Sequence, residues 1–207
     1  MIIICLAPHT DDGEIGMGGS INKFIEEGNE VYYIAFSTAE KSLPQRFSKD
    51  STRKEVVKAT GILGIKPDNL VILNFEVRTF SKYRQEILEI MIEMNKKIKP
   101  DIVFLPSSTD THQDHSTIQE EGFRAFKKCS ILGYEVPWNN LNFTTNSFIF
   151  LKKENIQKKI DSLSCYLSQK VKNNNGLEII KPLAKVRGLQ IGTEYAEAFE
   201  VIRWIIK

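Results

Sequence analysis

The chain has 207 residues, 42% of them apolar and 26% charged, which excludes a disordered chain, a fibrous repeat and a membrane bundle. At this length folding buries about 70–75% of the extended chain's surface, enough for a full core without staples. Twenty-eight Lys and Arg against 26 Asp and Glu leave a net charge of +2. That excludes a broad basic footprint for nucleic acid or anionic membrane, though not a small acidic ligand met by one Arg.

Residues 2–7 form a continuous apolar run, the pattern of a strand buried on both faces. The run meets Pro8 without a basic leader, and no stretch of 18 apolar residues occurs, so we expect a soluble protein of a reducing cytoplasm with no transmembrane segment. Cys5, Cys129 and Cys165 are odd in number and far apart, which argues against a disulfide framework or a cysteine zinc site. Beyond Gly18-Gly19, Ser20 caps a predicted helix with Ile21, Phe24 and Ile25 on one face and Gly28 as its stop. Residues 30–37 are a second strand. The polar stretch 39–50 is expected to be a mobile loop near the site. Residues 53–63 read as a helix with Val56, Val57 and Thr60 inward, stopped by Gly64, and residues 69–75 as a third strand. Residues 82–98 carry the clearest amphipathic stripe (Ile87, Leu88, Met91, Ile92 and Ile98), ended by Pro100. A fourth strand at 101–105 and a helix at 117–128 follow.

Strand and helix alternate four times, which predicts an α/β fold with a mostly parallel sheet and helices on both faces. The remainder is less regular: strands at 131–136 and 147–151, a helix from 154 to about 168, a polar turn at 172–176, and a closing helical segment from Pro182. No linker or composition shift divides residues 1–207, so a single Rossmann-like domain is expected, and a homo-oligomer is left open. In the segment 134–138, Tyr134 and Trp138 read either as core aromatics or as a pocket wall.

All three histidines sit at ends of predicted strands beside carboxylates. His9 opens His9-Thr10-Asp11-Asp12-Gly13-Glu14 after the first strand, and His112-Gln113-Asp114-His115 follows the fourth. Ligands of open α/β sheets bind outside the carboxyl ends of the strands, so the clusters share one edge and face each other if their strands are neighbours. Two imidazoles and a carboxylate suit Zn²⁺ with a fourth position for water, and an adjacent carboxylate can take that water's proton. Asp11-Asp12 offers one carboxylate for each task. A third imidazole can serve an oxyanion or a departing amine, and Asp114 can hold the ring of His112. This inventory fits metal-assisted hydrolysis of an amide. Taken singly the pieces have blander meanings: Asp11-Asp12-Gly13 is a turn signal, His-x-x-His is a weak pattern, and Gly16-Met17-Gly18-Gly19 reads as a tight turn or a phosphate cradle.

Residues 8–19, with His112-Gln113-Asp114-His115, resemble the paired histidine signatures of the PIG-L/LmbE-like family of zinc-dependent N-acetylglucosamine deacetylases. Residues 53–64 are similar to that family's Arg-then-Leu-Gly helix, and residues 187–190 with 195–199 to its C-terminal block, so the resemblance covers nearly the whole chain. It implies His9, Asp12 and His115 as zinc ligands, Asp11 as general base, and His112 with Asp114 at the oxyanion or leaving amine. It also implies Arg53 as a substrate contact and an N-acetylated amino sugar or sugar conjugate as the partner. Thr10 departs from the family's Pro without removing a ligand. The role of residues 195–199 is not assigned. Two alternatives remain beside this one: a non-haem Fe(II) oxygenase, whose 2-His-1-carboxylate triad uses the same donors, and a sugar- or nucleotide-binding module that keeps the metal site as scaffold. Fe²⁺ suits the donor set as well as Zn²⁺.

Overall fold

The computed structural model describes residues 1–169 and 177–206, and the predicted turn at 172–176 lies outside them. Strands β1 (Ile2–His9), β2 (Glu30–Ser37), β3 (Leu70–Ile72), β4 (Ile102–Pro106), β5 (Ser130–Tyr134), β6 (Ser147–Leu151) and β7 (Tyr195–Arg203) form one sheet. Its order is β3-β2-β1-β4-β5-β7-β6. The first five strands are parallel, and β7 runs antiparallel to both β5 and β6. Helices α1 (Asp12–Glu26), α2 (Ser51–Leu63), α3 (Arg84–Ile98), α4 (Gln113–Ala125), α5 (Lys153–Leu163) and α6 (Leu177–Leu189) cover it.

The apolar run of β1 is explained by its place at the middle of the sheet. Successive side chains of a strand point to opposite faces. Ile3, Cys5 and Ala7 pack with Ile21 and Phe24 of α1 and Val56 and Leu63 of α2, while Ile4 and Leu6 pack with Ile87 and Met91 of α3 and Ile118 of α4. Both faces are therefore core, and no polar position falls between Ile3 and Ala7. Gly64, at φ 96°, ends α2 in the left-handed region, as its sequence position predicts. Val57, expected inward, is 53% exposed; the buried stripe of α2 is Val56, Ala59, Thr60 and Leu63.

Other departures have local causes. Helix α1 begins at Asp12, eight residues before the predicted Ser20, because the glycines that discourage a helix are required by packing. A Cβ at Gly16 would stand 2.3 Å from Tyr134 Cδ2, and one at Gly13 would stand 2.5 Å from Tyr33 Cε2. Helix α4 likewise begins at Gln113 rather than at 117, with His112 as its cap. After α6, which contains Pro182, the chain forms β7 where a helical ending was expected. The third strand is shorter than predicted. In 39–50 the chain makes a 3-10 turn at Glu40–Ser42, and Lys41 pairs with Glu76 at 2.6 Å.

Candidate metal centre

Strands β1 and β4 are neighbours, with Ile3 opposite Ile102 and Cys5 opposite Phe104. From that pair the chain proceeds outward in both directions, through β2 and β3 on one side and β5 on the other. This is the switch point at which open α/β sheets bind ligands. β1 ends on His9 and leads directly into α1, whose cap is Asp11 and first residue Asp12. β4 ends at Pro106, and a short loop carries the chain to His112 and α4.

The two motifs meet there. Asp12 Oδ2 lies 3.0 Å from His9 Nδ1 and 3.1 Å from His115 Nε2, and the two ring nitrogens are 3.3 Å apart. Donors at about 2.0–2.1 Å from a tetrahedral ion stand about 3.3 Å from one another, so this triangle has the size a Zn²⁺-like cation needs. The far nitrogen of each ring is held. Asp110 Oδ2 is 2.7 Å from His115 Nδ1, and Asp114 Oδ2 is 3.1 Å from His9 Nε2. Such carboxylate–imidazole pairs fix the ring and direct its other lone pair at a metal. His112 also brings a ring nitrogen within 4.8 Å of the corresponding atoms of His9 and His115. Its Nδ1 accepts the Asp114 backbone N–H at 3.1 Å, which leaves Nε2 to carry the proton of the neutral ring.

The Asp114 carboxylate thus serves His9 and not, as expected, the ring of His112. It also accepts the backbone N–H groups of Arg78 at 2.6 Å and Phe80 at 3.3 Å. Asp110 was not anticipated; in the run Ser107-Ser108-Thr109-Asp110 it carries only a turn signal. Asn139, in the loop after β5, donates to Asp110 at 3.4 Å and accepts the backbone N–H of Thr111 at 3.3 Å. Trp138, beside it, is half exposed, whereas Tyr134 is core and donates to the Leu6 carbonyl at 2.9 Å.

Charge follows the geometry. Burial disfavours a charged His9 ring, but the Asp12 carboxylate and then Asp114 outweigh it, raising its pKa to about 9. His115 is raised to about 10 in the same way, against burial, by Asp12 and Asp110. Asp12 is held far below the carboxylate range: burial opposes ionisation, and the two imidazoles overcome it. Asp11, the partly exposed neighbour, goes the other way, pushed up to about 6 by burial and by the charge on Asp12. Adjacent carboxylates whose pKa values are pushed apart are the pattern used for an acid–base division of labour. The His112 ring is pushed down by burial and by the two neighbouring imidazoles. Imidazoles gathered on one buried carboxylate can exchange their protons for a cation.

Behind Asp11, Tyr33 and Tyr166 both donate to the Thr10 carbonyl, at 2.9 and 2.6 Å, and both also meet the Glu14 carboxyl, Tyr166 at 2.8 Å. Two hydroxyl protons cannot serve four contacts, and a protonated Glu14 supplies a third; burial raises its pKa to about 8. At residue 10 it is the carbonyl that is used, which is why Thr can stand there. Beside the centre opens a cleft of about 510 Å³ lined by Ser37, Lys41, Arg53, Asn74 and Glu76. Ser37 is opposite His9 in the sheet, and Arg53 Nη2 donates to Asn74 Oδ1 at 2.5 Å.

Residues 4–126, more than half the chain and both histidine motifs, match the PIG-L family, GlcNAc-PI de-N-acetylase. The chain belongs to that family. It is 26% identical over 136 residues to the diacetylchitobiose deacetylase of Thermococcus kodakarensis, a match covering 63% of this chain and 50% of that protein, so the chain spans about half the length of this relative. It is 23% identical over 172 residues to the uncharacterized deacetylase YaiS of Escherichia coli, covering 80% and 90%. Among solved structures, the conserved protein TT1542 of Thermus thermophilus superposes with a TM-score of 0.80 at 23% identity, covering 99% of this chain and 96% of the other. The N,N'-diacetylchitobiose deacetylase of Pyrococcus horikoshii superposes with the same score at 21% identity, covering 97% and 83%. These likenesses establish the fold; a hydratase, GalB of Pseudomonas putida, shares it at a TM-score of 0.75 and 18% identity, with 100% and 98% covered. No helix among the described residues is long and apolar enough to cross a membrane.

Proposed function

We propose that the protein is a metal-dependent N-deacetylase that hydrolyses the acetamide of an N-acetylated amino sugar or its conjugate. The observation that carries this is the triangle His9 Nδ1, Asp12 Oδ2 and His115 Nε2, each side between 3.0 and 3.3 Å, with a second carboxylate, Asp11, adjacent in sequence and shifted the opposite way in pKa. Family membership supports the reaction class, and the named relatives support a sugar substrate. His9, Asp12 and His115 are the metal ligands. Zn²⁺ is the first choice and Fe²⁺ also fits the donors. A divalent cation there supplies Lewis acidity and a water of lowered pKa.

The chain's own residues do the rest. Asp11 accepts one proton of the attacking water and returns it to the departing nitrogen as the C–N bond breaks. The water's second proton leaves the nascent carboxylic acid for the amine, so the products are acetate and an ammonium group and the site gains no proton. Its pKa of about 6 leaves it ionised at neutral pH yet basic enough to be useful. His112, neutral and with its proton on Nε2, donates to the oxygen on which negative charge develops. Asp110 and Asp114 keep the ligating rings in place. Arg53 and Asn74 offer a fixed donor–acceptor pair to sugar hydroxyls in the adjoining cleft. A reducing compartment, the cytoplasm, suits the three cysteines, none of which is in a disulfide.

Acetate release from a panel of N-acetylated sugars, with and without chelator, tests this. One relative of the same fold, teicoplanin deacetylase Orf2, is known in a zinc-inhibited form, so Zn²⁺ and Fe²⁺ are to be assayed at one equivalent as well as in excess. Chelator-sensitive acetate release is expected. Oxygen consumption, or sugar binding with no acetate from any substrate, would contradict the proposal.

A further inference from the structure

Helix α1 is broken. Met17 leaves the helical region, at φ −147° and ψ 22°, so the helix consists of two pieces that meet there. The first amides of a helical piece have no carbonyl one turn back to bond to. A carboxylate takes them here: Glu197 of β7 accepts the N–H of Gly19 at 3.1 Å and of Ser20 at 2.7 Å, and the Ser20 hydroxyl at 2.5 Å. Lys159 of α5 donates to the same carboxylate at 2.6 Å. The cluster is buried: Ser20 is 0%, Glu197 5% and Lys159 5% exposed, so solvent does not screen it.

The glycine run exists for this approach. A Cβ at Gly19 would stand 2.6 Å from Leu151 Cδ1 and 3.3 Å from Glu197 Oε1, and one at Gly18 would stand 3.0 Å from Lys159 Cγ. An anion on helix N-terminal amides is the arrangement used for phosphate. In this chain the anion is a side chain from the C-terminal segment, and the cradle is filled.

We propose that Glu197, charge-balanced by Lys159, is a positioning residue for the metal centre. It sets where the second piece of α1 begins, and thereby where the first piece places Asp11 and Asp12 against His9 and His115. Glu197 bonds residues seven and eight positions beyond Asp12, about 10 Å along a helix, so it acts through the backbone and touches no reacting group. The inference rests on the proposed metal centre, not on the identity of the sugar.

The test is Glu197→Gln in the full chain, with Co²⁺ as the probe. The amide removes the charge and presents a donor to Lys159, leaving one backbone amide unmet. Co²⁺ binding is expected to weaken about tenfold or more, with a changed visible absorption spectrum. The chain has only three histidines, all of them in the site, so a histidine-selective NMR spectrum reads that site alone, and its signals are expected to shift. Where turnover is measurable, kcat should fall about tenfold with KM changed less than about threefold. A folded variant whose Co²⁺ affinity and histidine spectrum equal the parent's would overturn the inference. Should Glu197→Gln not fold, Ser20→Ala decides, because it removes one bond to the carboxylate and keeps the charge. About threefold weaker Co²⁺ binding with shifted histidine signals supports the proposal, and parental values of both overturn it. A parent that releases no acetate, or binds no Co²⁺, counts against the proposed function; the histidine signals still decide the role of Glu197.

Discussion

Asp11 and Asp12 are chemically identical neighbours whose pKa values the fold shifts in opposite directions. Asp12 sits between two imidazoles and stays ionised, while Asp11 has burial and a neighbouring anion against it and rises to about 6. The first is suited to hold a cation and the second to move a proton. Asp11→Asn should therefore lose about 10²–10⁴-fold in kcat while binding metal as the parent does, measured by acetate release beside metal analysis. The pH dependence has a definite sign. Asp11 works ionised, so kcat/KM should fall about tenfold per unit on the acid side of a limb at or below about pH 6. A limb that persists in Asp11→Asn would contradict the assignment. Asp110 acts one bond further out, on His115 Nδ1, and Asp110→Asn should weaken metal binding about 10–100-fold, read by competition with a chelator. Unchanged affinity would show that Asn139 and the ring's packing suffice.

Among the elements, α1 decides most. Both its pieces are clamped from outside: the first by Tyr33 and Tyr166 at Thr10 and Glu14, the second by Glu197. Glu14 keeps a proton in the folded chain that the unfolded chain loses above about pH 4.5, so its folded pKa of about 8 makes stability fall as pH rises between those values. Glu14→Gln supplies the same donor and acceptor without a proton to lose. It should match the parent in thermal unfolding at pH 4 and exceed it at pH 8; a deficit at both would show that the carboxyl is not protonated. Periodicity made β1, β2, α3 and the alternation legible, because their side chains answer mainly to burial. It failed where a packing partner overrides propensity. The glycines of α1 hide a helix because Tyr33, Tyr134, Leu151 and Lys159 occupy the space of a Cβ. β7 stays hidden because Glu197, a buried carboxylate satisfied by backbone amides, looks in sequence like a solvent-facing position.

At the scale of the molecule, the site is a product of strand order. Residues 9 and 115 meet because β1 and β4 are adjacent at the point where the chain changes direction across the sheet. The motifs themselves were legible in the sequence because all three histidines lie just past strand ends beside Asp. Their cross-partners were not, since His9 with Asp114 and His115 with Asp110 depend on how two loops are stacked. The C-terminal antiparallel pair β7 and β6 then reaches back under α1, so the last strand takes part in shaping a centre built from the first. The most direct measurement is anomalous diffraction at the zinc edge from crystals grown with one equivalent of Zn²⁺. The account predicts one peak about 2.0–2.2 Å from His9 Nδ1, Asp12 Oδ2 and His115 Nε2. A peak elsewhere, or none at that triangle, would contradict it.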